Sequence, residues 1–431
     1  MKSADHARPD LKTEALAGVT TFFTMAYIVI VNPQIISADG KTGMAFSGVL
    51  TATVLVCFAM TLLMGVYAKL PFAVAPGMGL NAFFTYTIIL GKGVPWPVAL
   101  GIVFWAGVFF LIISVTPIRE SIAKAIPREI RIAAAVGIGI FLTFIGLKNA
   151  GFIVSDPVTF VKLGALGKPA LLTIAGLVIS AFLMSRHNPF AFLAAIVLIT
   201  LAAWALGMVT MPAQKLSWPD FHSVFLKLDV LGALKLSLVP SIIAILFTDL
   251  FDSISTFIGV AHAGNLLDED GHPRNLRQGL IVDSVATMGA GLAGTSSGTA
   301  YIESIAGIQM GGRTGLTSVF TALCFLPCLF LAPLAGMVPP YATAAVLILV
   351  GSAMFRSVGE INFSKIEEGV PAFLTLVLIP LTFSITQGIL WGFISHVGLY
   401  LLVGRRREIH PVMYVLALVS VGLLVLERAL A

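Results

Sequence analysis

The chain has 431 residues, of which 58% are hydrophobic and 11% charged, with a formal net charge of +5 and a mean hydropathy of +0.99. Soluble domains carry about 25% charged residues, so this composition excludes one. The apolar residues instead form many runs of the roughly 17 to 25 needed to cross a hydrocarbon core about 30 Å thick. The basic excess sits in loops, where membrane orientation requires it, so no nucleic-acid partner is implied.

In chain order, the opening MKSADHARPDLK is polar for longer than a signal-peptide start and is expected to be retained. With Pro, Gly and charge clusters as punctuation, spans are expected near 14–37, 44–69, 77–91, 95–117, 130–148, 168–186, 189–211, 236–262, 275–292, 300–311, 313–337, 340–355, 369–385 and 387–404, fourteen in all. A cytoplasmic N-terminus then places the loop 119–131 (RESIAKAIPREIR), Arg186–Asn188, Ala263–Arg274 and the cluster Arg405–Arg407 inside, as the positive-inside rule asks of a protein of the cytoplasmic membrane. A further apolar segment, 411–427, is long enough to cross, but also suits an interfacial or half-helix position. Cys57, Cys324 and Cys328 lie inside apolar runs with no histidine or carboxylate set around them, and read as core thiols. No metal site, nucleotide-binding glycine pattern or cofactor is indicated.

Spans 3 and 10 are irregular. Span 3 begins PFAVAPGMGLNAFF, broken by Pro71, Pro76, Gly77 and Gly79; span 10 begins GTSSGTAYIES, broken by Gly294 and Gly298. They stand seven spans apart, and 130–146 (IRIAAAVGIGIFLTFIG) echoes 339–355 (PPYATAAVLILVGSAMF) at the same separation. Two halves of seven spans must face opposite ways, and paired broken helices in inverted repeats point to a transporter's substrate site. Helix starts at mid-membrane would free the amides of Gly298, Thr299 and Ala300, and of Ala82, Phe83 and Phe84, to bind a ligand. Asn81 donates and accepts at once, which suits a heteroaromatic edge or a helix cap, and Phe83 offers a ring to stack on. Thr20, Thr21, Thr24, Thr248 and Ser253 offer hydroxyls, whose commoner use is to bond back to their own helix.

Acids within spans are costly, about 2.5–3.5 kcal/mol each at a helix centre. Span 8 carries Asp249 and Asp252, three residues apart and close to one face; span 10 carries Glu303 just past its break; span 9 carries Asp283, which reads better as structural. No Lys or Arg lies in the middle of a span to pair with them. Some of Asp249, Asp252 and Glu303 must then be protonated or await a ligand, which is the chemistry of proton coupling.

The stretches TEALAGVTTFFTMAYIVIVNP (13–33), APGMGLNAFF (75–84), FTDLFDS (247–253) and GTSSGTAYIESIAGI (294–308) resemble the AzgA-like purine permeases of the nucleobase/ascorbate transporter superfamily. The resemblance runs over nearly the whole chain. It implies an all-α polytopic fold of fourteen spans in a seven-plus-seven inverted repeat, with short extended segments in spans 3 and 10. Core pieces would be 1–117 and 236–338, and gate pieces 118–235 and 339–431. It implies import of adenine, guanine or hypoxanthine with a proton, the base lying between spans 3 and 10 against Asp249, Glu303 and Asn81, with Asp252 as companion acid. Nucleobase, proton and bilayer are the partners so implied; a homodimer is one assembly the sequence leaves open, and which acid moves the proton, or whether sodium replaces it, stays open too. Two rivals fit less well. An anion exchanger on the same fold would be repelled by the carboxylates, and an intramembrane aspartyl protease needs its two aspartates on separate helices, with a Gly-x-Gly-Asp turn that the chain lacks.

Overall fold

The computed structural model describes residues 10–116, 125–267 and 273–429, so 119–124 of the expected loop 119–131 and 268–272 of the expected loop Ala263–Arg274 lie outside the described residues. Asp10 caps the first helix, α1 (Leu11–Met25), by accepting from the amides of Lys12 and Thr13. Span 1 then breaks at Ala26–Tyr27 and resumes as α2 (Ile28–Ser37), which contains Pro33. Proline has no N–H to return to the preceding turn. The break leaves Tyr27 at membrane depth, a position the site uses.

Helix α3 (Phe46–Leu63) leads to strand β1 (Val74–Pro76), helix α4 (Met78–Ala82) with a wide-turned continuation Phe83–Gly91, and α5 (Trp96–Val115). Helix α6 (Arg128–Asn149) follows, then a hairpin of β2 (Ile153–Asp156) and β3 (Phe160–Leu163), then α7 (Lys168–Ser185) and α8 (Ala191–Ala205). The second half runs through α9 (Val239–Gly264), α10 (Leu276–Ala293), strand β4 (Gly298–Ala300), α11 (Ser304–Gln309), α12 (Gly315–Phe325), α13 (Pro340–Phe355), α14 (Ile366–Thr382), α15 (Ile385–Leu402) and α16 (Pro411–Ala429). Among the described residues, eight helices are long and apolar enough to cross a membrane, and shorter apolar helices include Met78–Gly91, Ala191–Ala205, Gly315–Phe330 and Pro411–Val425. This is a multi-pass helical membrane protein.

The helix pairings repeat between the halves. Helix α1 packs on α12 as α9 packs on α5; α7 packs on α13 as α14 packs on α6; α5 packs on α10 as α12 packs on α3. The echoed segments, α6 and α13, pack on each other. Their seam is built of glycines: a methyl on Gly139 would stand 2.8 Å from the carbonyl oxygen of Gly351, and one on Gly146 would stand 2.9 Å from that of Ala344. Small residues let two backbones approach where lipid offers no hydrophobic drive for association. Helix α16 packs along α15, and apolar side chains on α7, α8 and α16 are exposed, as on a lipid-facing wall.

At the centre, β1 and β4 cross antiparallel, with Val74 opposite Ala300, Ala75 opposite Thr299 and Pro76 opposite Gly298. The flanking bonds, Tyr301 N–H to Ala73 O and Gly77 N–H to Ser297 O (both 2.9 Å), put the hydrogen-bonded positions at 73 and 77. Pro76 falls between them, where no N–H is needed. Gly294, at φ +102, turns the chain off α10 toward the crossing.

Candidate functional site

Unpaired strand edges at membrane depth survive only where protein covers them, and hydroxyls do much of that here. Thr61 on α3 donates to the carbonyl of Val74 (3.0 Å) and accepts from its amide (2.9 Å). Ser304 accepts from the amide of Ala73 at 3.0 Å, Ser318 donates to the carbonyls of Leu70 and Phe72, and the Tyr301 hydroxyl donates to Pro76 O at 2.6 Å. Asn32, at 0% exposure, donates to both Thr53 and Thr295, tying α2 and α3 to the loop before β4.

The acids divide into two groups. Asp249 is fully buried on the side of α9 that faces α10; one carboxylate oxygen accepts from the Thr287 hydroxyl and the other has no partner among the described residues. Thr287 also lies 3.1 Å from Gly298 O, so one hydroxyl is shared between the Asp249 carboxyl group and a carbonyl of β4. Asp283, also at 0% exposure, accepts from Thr299 at 3.4 Å through one oxygen, and its other oxygen has no partner among the described residues. Ser253 completes this cluster, 3.4 Å from the Thr299 hydroxyl. The second group is Asp252 and Glu303, of which Asp252 faces the interior space. Asp252 is half-buried on a cavity wall, and Glu303 sits at the head of α11 and accepts from the Tyr27 hydroxyl at 2.6 Å. These two carboxylates are close enough to repel each other.

A cavity lies beside the crossing. One wall is α9 through Thr248, Phe251, Asp252 and Ser255; the facing wall is α6 through Arg131, Ala134, Ala135 and Ile138; Gly77, Gly79, Leu80 and Met354 complete it. Both stripes follow the spacing i, i+3, i+4, i+7 of a single helical face. Phe251 stacks on Phe247 at 5.8 Å with 14° between the ring planes, so an aromatic surface is held flat at the wall. A largely apolar wall with an aromatic face and a few polar groups has the chemistry that a small flat heterocycle needs.

Several expectations are corrected. The helix of span 10 starts at Ser304, so Gly298, Thr299 and Ala300 contribute an extended edge rather than free helix-start amides. In span 3 the helix starts at Met78, with Asn81 N–H already bonded to Gly77 O, so Ala82, Phe83 and Phe84 are inside it. Asn81 is neither cap nor cavity wall: at 0% exposure it accepts from the Ser296 hydroxyl and ties span 3 to the loop of span 10. Phe83 is likewise buried off the cavity. Thr20 and Thr24 bond back to their own helix, while Thr248 lines the cavity. Sequence reasoning missed Tyr27, Phe251 and Arg131. The spacing of Arg131, Ala134, Ala135 and Ile138 was the signal for the last, hidden because Arg131 lies at a helix end.

The sequence matches the Permease family over residues 12–390. It is 43% identical to the adenine permease AdeP of Escherichia coli, over 95% of this chain and 92% of that one. It is 38% identical to the guanine/hypoxanthine permease PbuO of Bacillus subtilis, over 95% of this chain and 96% of that one. Among solved structures, the transmembrane domain of the bicarbonate transporter BicA from a cyanobacterium superposes with a TM-score of 0.66, covering 90% of this chain and 98% of that one at 19% identity, a likeness of fold alone.

Proposed function

The chain is a member of the permease family, a carrier and not an enzyme, and we propose that it imports purine nucleobases (guanine, hypoxanthine or adenine) by proton symport across the cytoplasmic membrane. One observation carries this reading: two broken spans cross at β1 and β4 beside a cavity that is walled by an aromatic face and by the carboxyl group of Asp252. The purine permeases among the relatives support the cargo.

In this reading the base lies against Phe251 and the edge formed by Gly77 and Thr299, with Glu303 and Asp252 accepting from its N–H groups. Asp249 acts from behind the wall: through Thr287 it holds Gly298, and with Asp283 it forms a pair that cannot both ionise cheaply. Protonation among Asp249, Asp252 and Glu303 is then linked to occupancy. The repeated helix pairings support fourteen spans in seven-plus-seven order; in this reading the N-terminus is inside, residues 1–117 and 236–338 are the moving core, and 118–235 and 339–431 are the gate. Anion exchange is disfavoured by the acids beside the space.

The test is uptake of labelled adenine, guanine and hypoxanthine in a strain lacking purine transport. Wild type restores uptake of at least one base, while Glu303→Ala and Asp249→Ala each reduce it at least tenfold at matched protein levels. Normal transport by both variants would remove the site assignment.

A further inference from the structure

Arg131 projects from the first turn of α6 into the cavity whose opposite wall carries Asp252. It is the one cationic side chain on those walls among the described residues. Its Nε is buried without a hydrogen-bond partner, and among the described residues no carboxylate lies within ion-pair distance of it. The neighbouring charges are engaged elsewhere or lie on its own helix: Arg128 pairs with Glu360, Glu129 is half-buried two residues before it and attracts it without an ion pair, Glu303 is held by Tyr27, and Asp249 faces α10. A basic side chain and an acidic one thus stand on the two facing stripes, unpaired, with space between them.

Taking an ionised carboxylate into a closed cavity is costly unless a proton or a cation neutralises it. A bound base with its proton does this for the loaded carrier. The empty carrier must close without either. We infer that Arg131 is the countercharge that closes on Asp252 when the empty, deprotonated cavity shuts, allowing the return half of the cycle. The inference rests on the cavity being the carrier's substrate route.

It separates two activities. Net uptake needs the empty carrier to return; exchange of labelled outside base for unlabelled inside base does not. Arg131→Gln in proteoliposomes is expected to lose net uptake at least tenfold and to keep exchange within about twofold of wild type, with Arg131→Lys restoring net uptake. Equal loss of both activities, or loss of neither, overturns the inference. A second arm needs no substrate: with the native cysteines replaced, Arg131→Cys/Asp252→Cys should be linked by a short bifunctional thiosulfonate, as read by mass spectrometry, and failure to link also overturns it. Wild-type protein that carries no purine but links in the second arm would count against the proposed cargo and leave the closure of Arg131 on Asp252 supported.

Discussion

The crossing of β1 and β4 and the seam of α6 and α13 are both places where the two halves of the chain meet, yet they are built from opposite materials. The crossing is irregular backbone held by hydroxyls from α3, α10, α11 and α12, with acids on both sides of it. The seam is two regular helices drawn together on Gly139, Gly146 and Gly351, where the Thr143 hydroxyl bonds back to its own helix. Steric fit admits no adjustment, so the seam suits a fixed wall. Hydrogen bonds through hydroxyls can be exchanged, so the crossing suits a place where a ligand and a proton come and go.

That contrast sets the order of expected effects. Gly351→Val should be the most damaging, because its first added carbon already collides with the carbonyl of Gly139 and with Thr143. We expect a loss at or beyond the upper end of the ~1–3 kcal/mol usual for overpacking, seen as absence of a monodisperse peak in fluorescence-detected chromatography. Gly398→Ala, on α15 with no atom within 4 Å of the added methyl, is the control and should behave as wild type. Wild-type behaviour of Gly351→Val would break the comparison.

Next is Glu14, 3% exposed on α1, which accepts from the amides of Arg313, Thr314 and Thr317 (3.1 Å each) and from the Thr317 hydroxyl. It ties α1 to the start of α12, which in turn carries Ser318 beneath the crossing. Glu14→Ala leaves buried donors unpaired and should cost about 2–3 kcal/mol, measured as a lowered Tm in detergent. An unchanged Tm would mean that the crossing does not depend on this cap.

The smallest effect is expected outside the membrane. Asp220 anchors the loop between α8 and α9 to α3; burial raises its carboxyl, but hydrogen bonds from the hydroxyls of Ser223 and Ser47 and the amides of His222 and Ser223 outweigh that and hold it below the ordinary carboxylate range. A lowered folded-state value contributes stability above the unfolded value, about 3.9, and loses it as pH falls through the folded one. Asp220→Asn should therefore be slightly less stable than wild type at pH 7, with the gap in Tm closing below about pH 4. A gap that widens in acid would contradict the sign.

Much of this was legible in the chain. Gly77, Gly79, Gly294 and Gly298 marked two broken spans, and 130–146 matched against 339–355 marked the repeat, because glycine patterns and period are local properties. What was not legible depends on which face a residue presents after packing. Asp249 and Asp252, three residues apart, end on different sides of α9, one toward α10 and one toward the cavity. Asn81 and Phe83 looked like ligand contacts and are core, because the helix of span 3 starts four residues earlier than the polar pattern suggested. Tyr27 became a partner of Glu303 only through a contact between residues 276 apart in sequence, which no spacing rule reports.

The central claim is that the cavity between α6 and α9 carries a purine together with a proton. Its most direct test is accumulation of labelled guanine, hypoxanthine and adenine by purified protein in liposomes with an imposed proton gradient, acid on the side from which the base enters. At least one base is expected to accumulate above its external concentration, and a protonophore to abolish the accumulation. Folded protein that accumulates none of the three, or one whose accumulation ignores the gradient, would contradict the account.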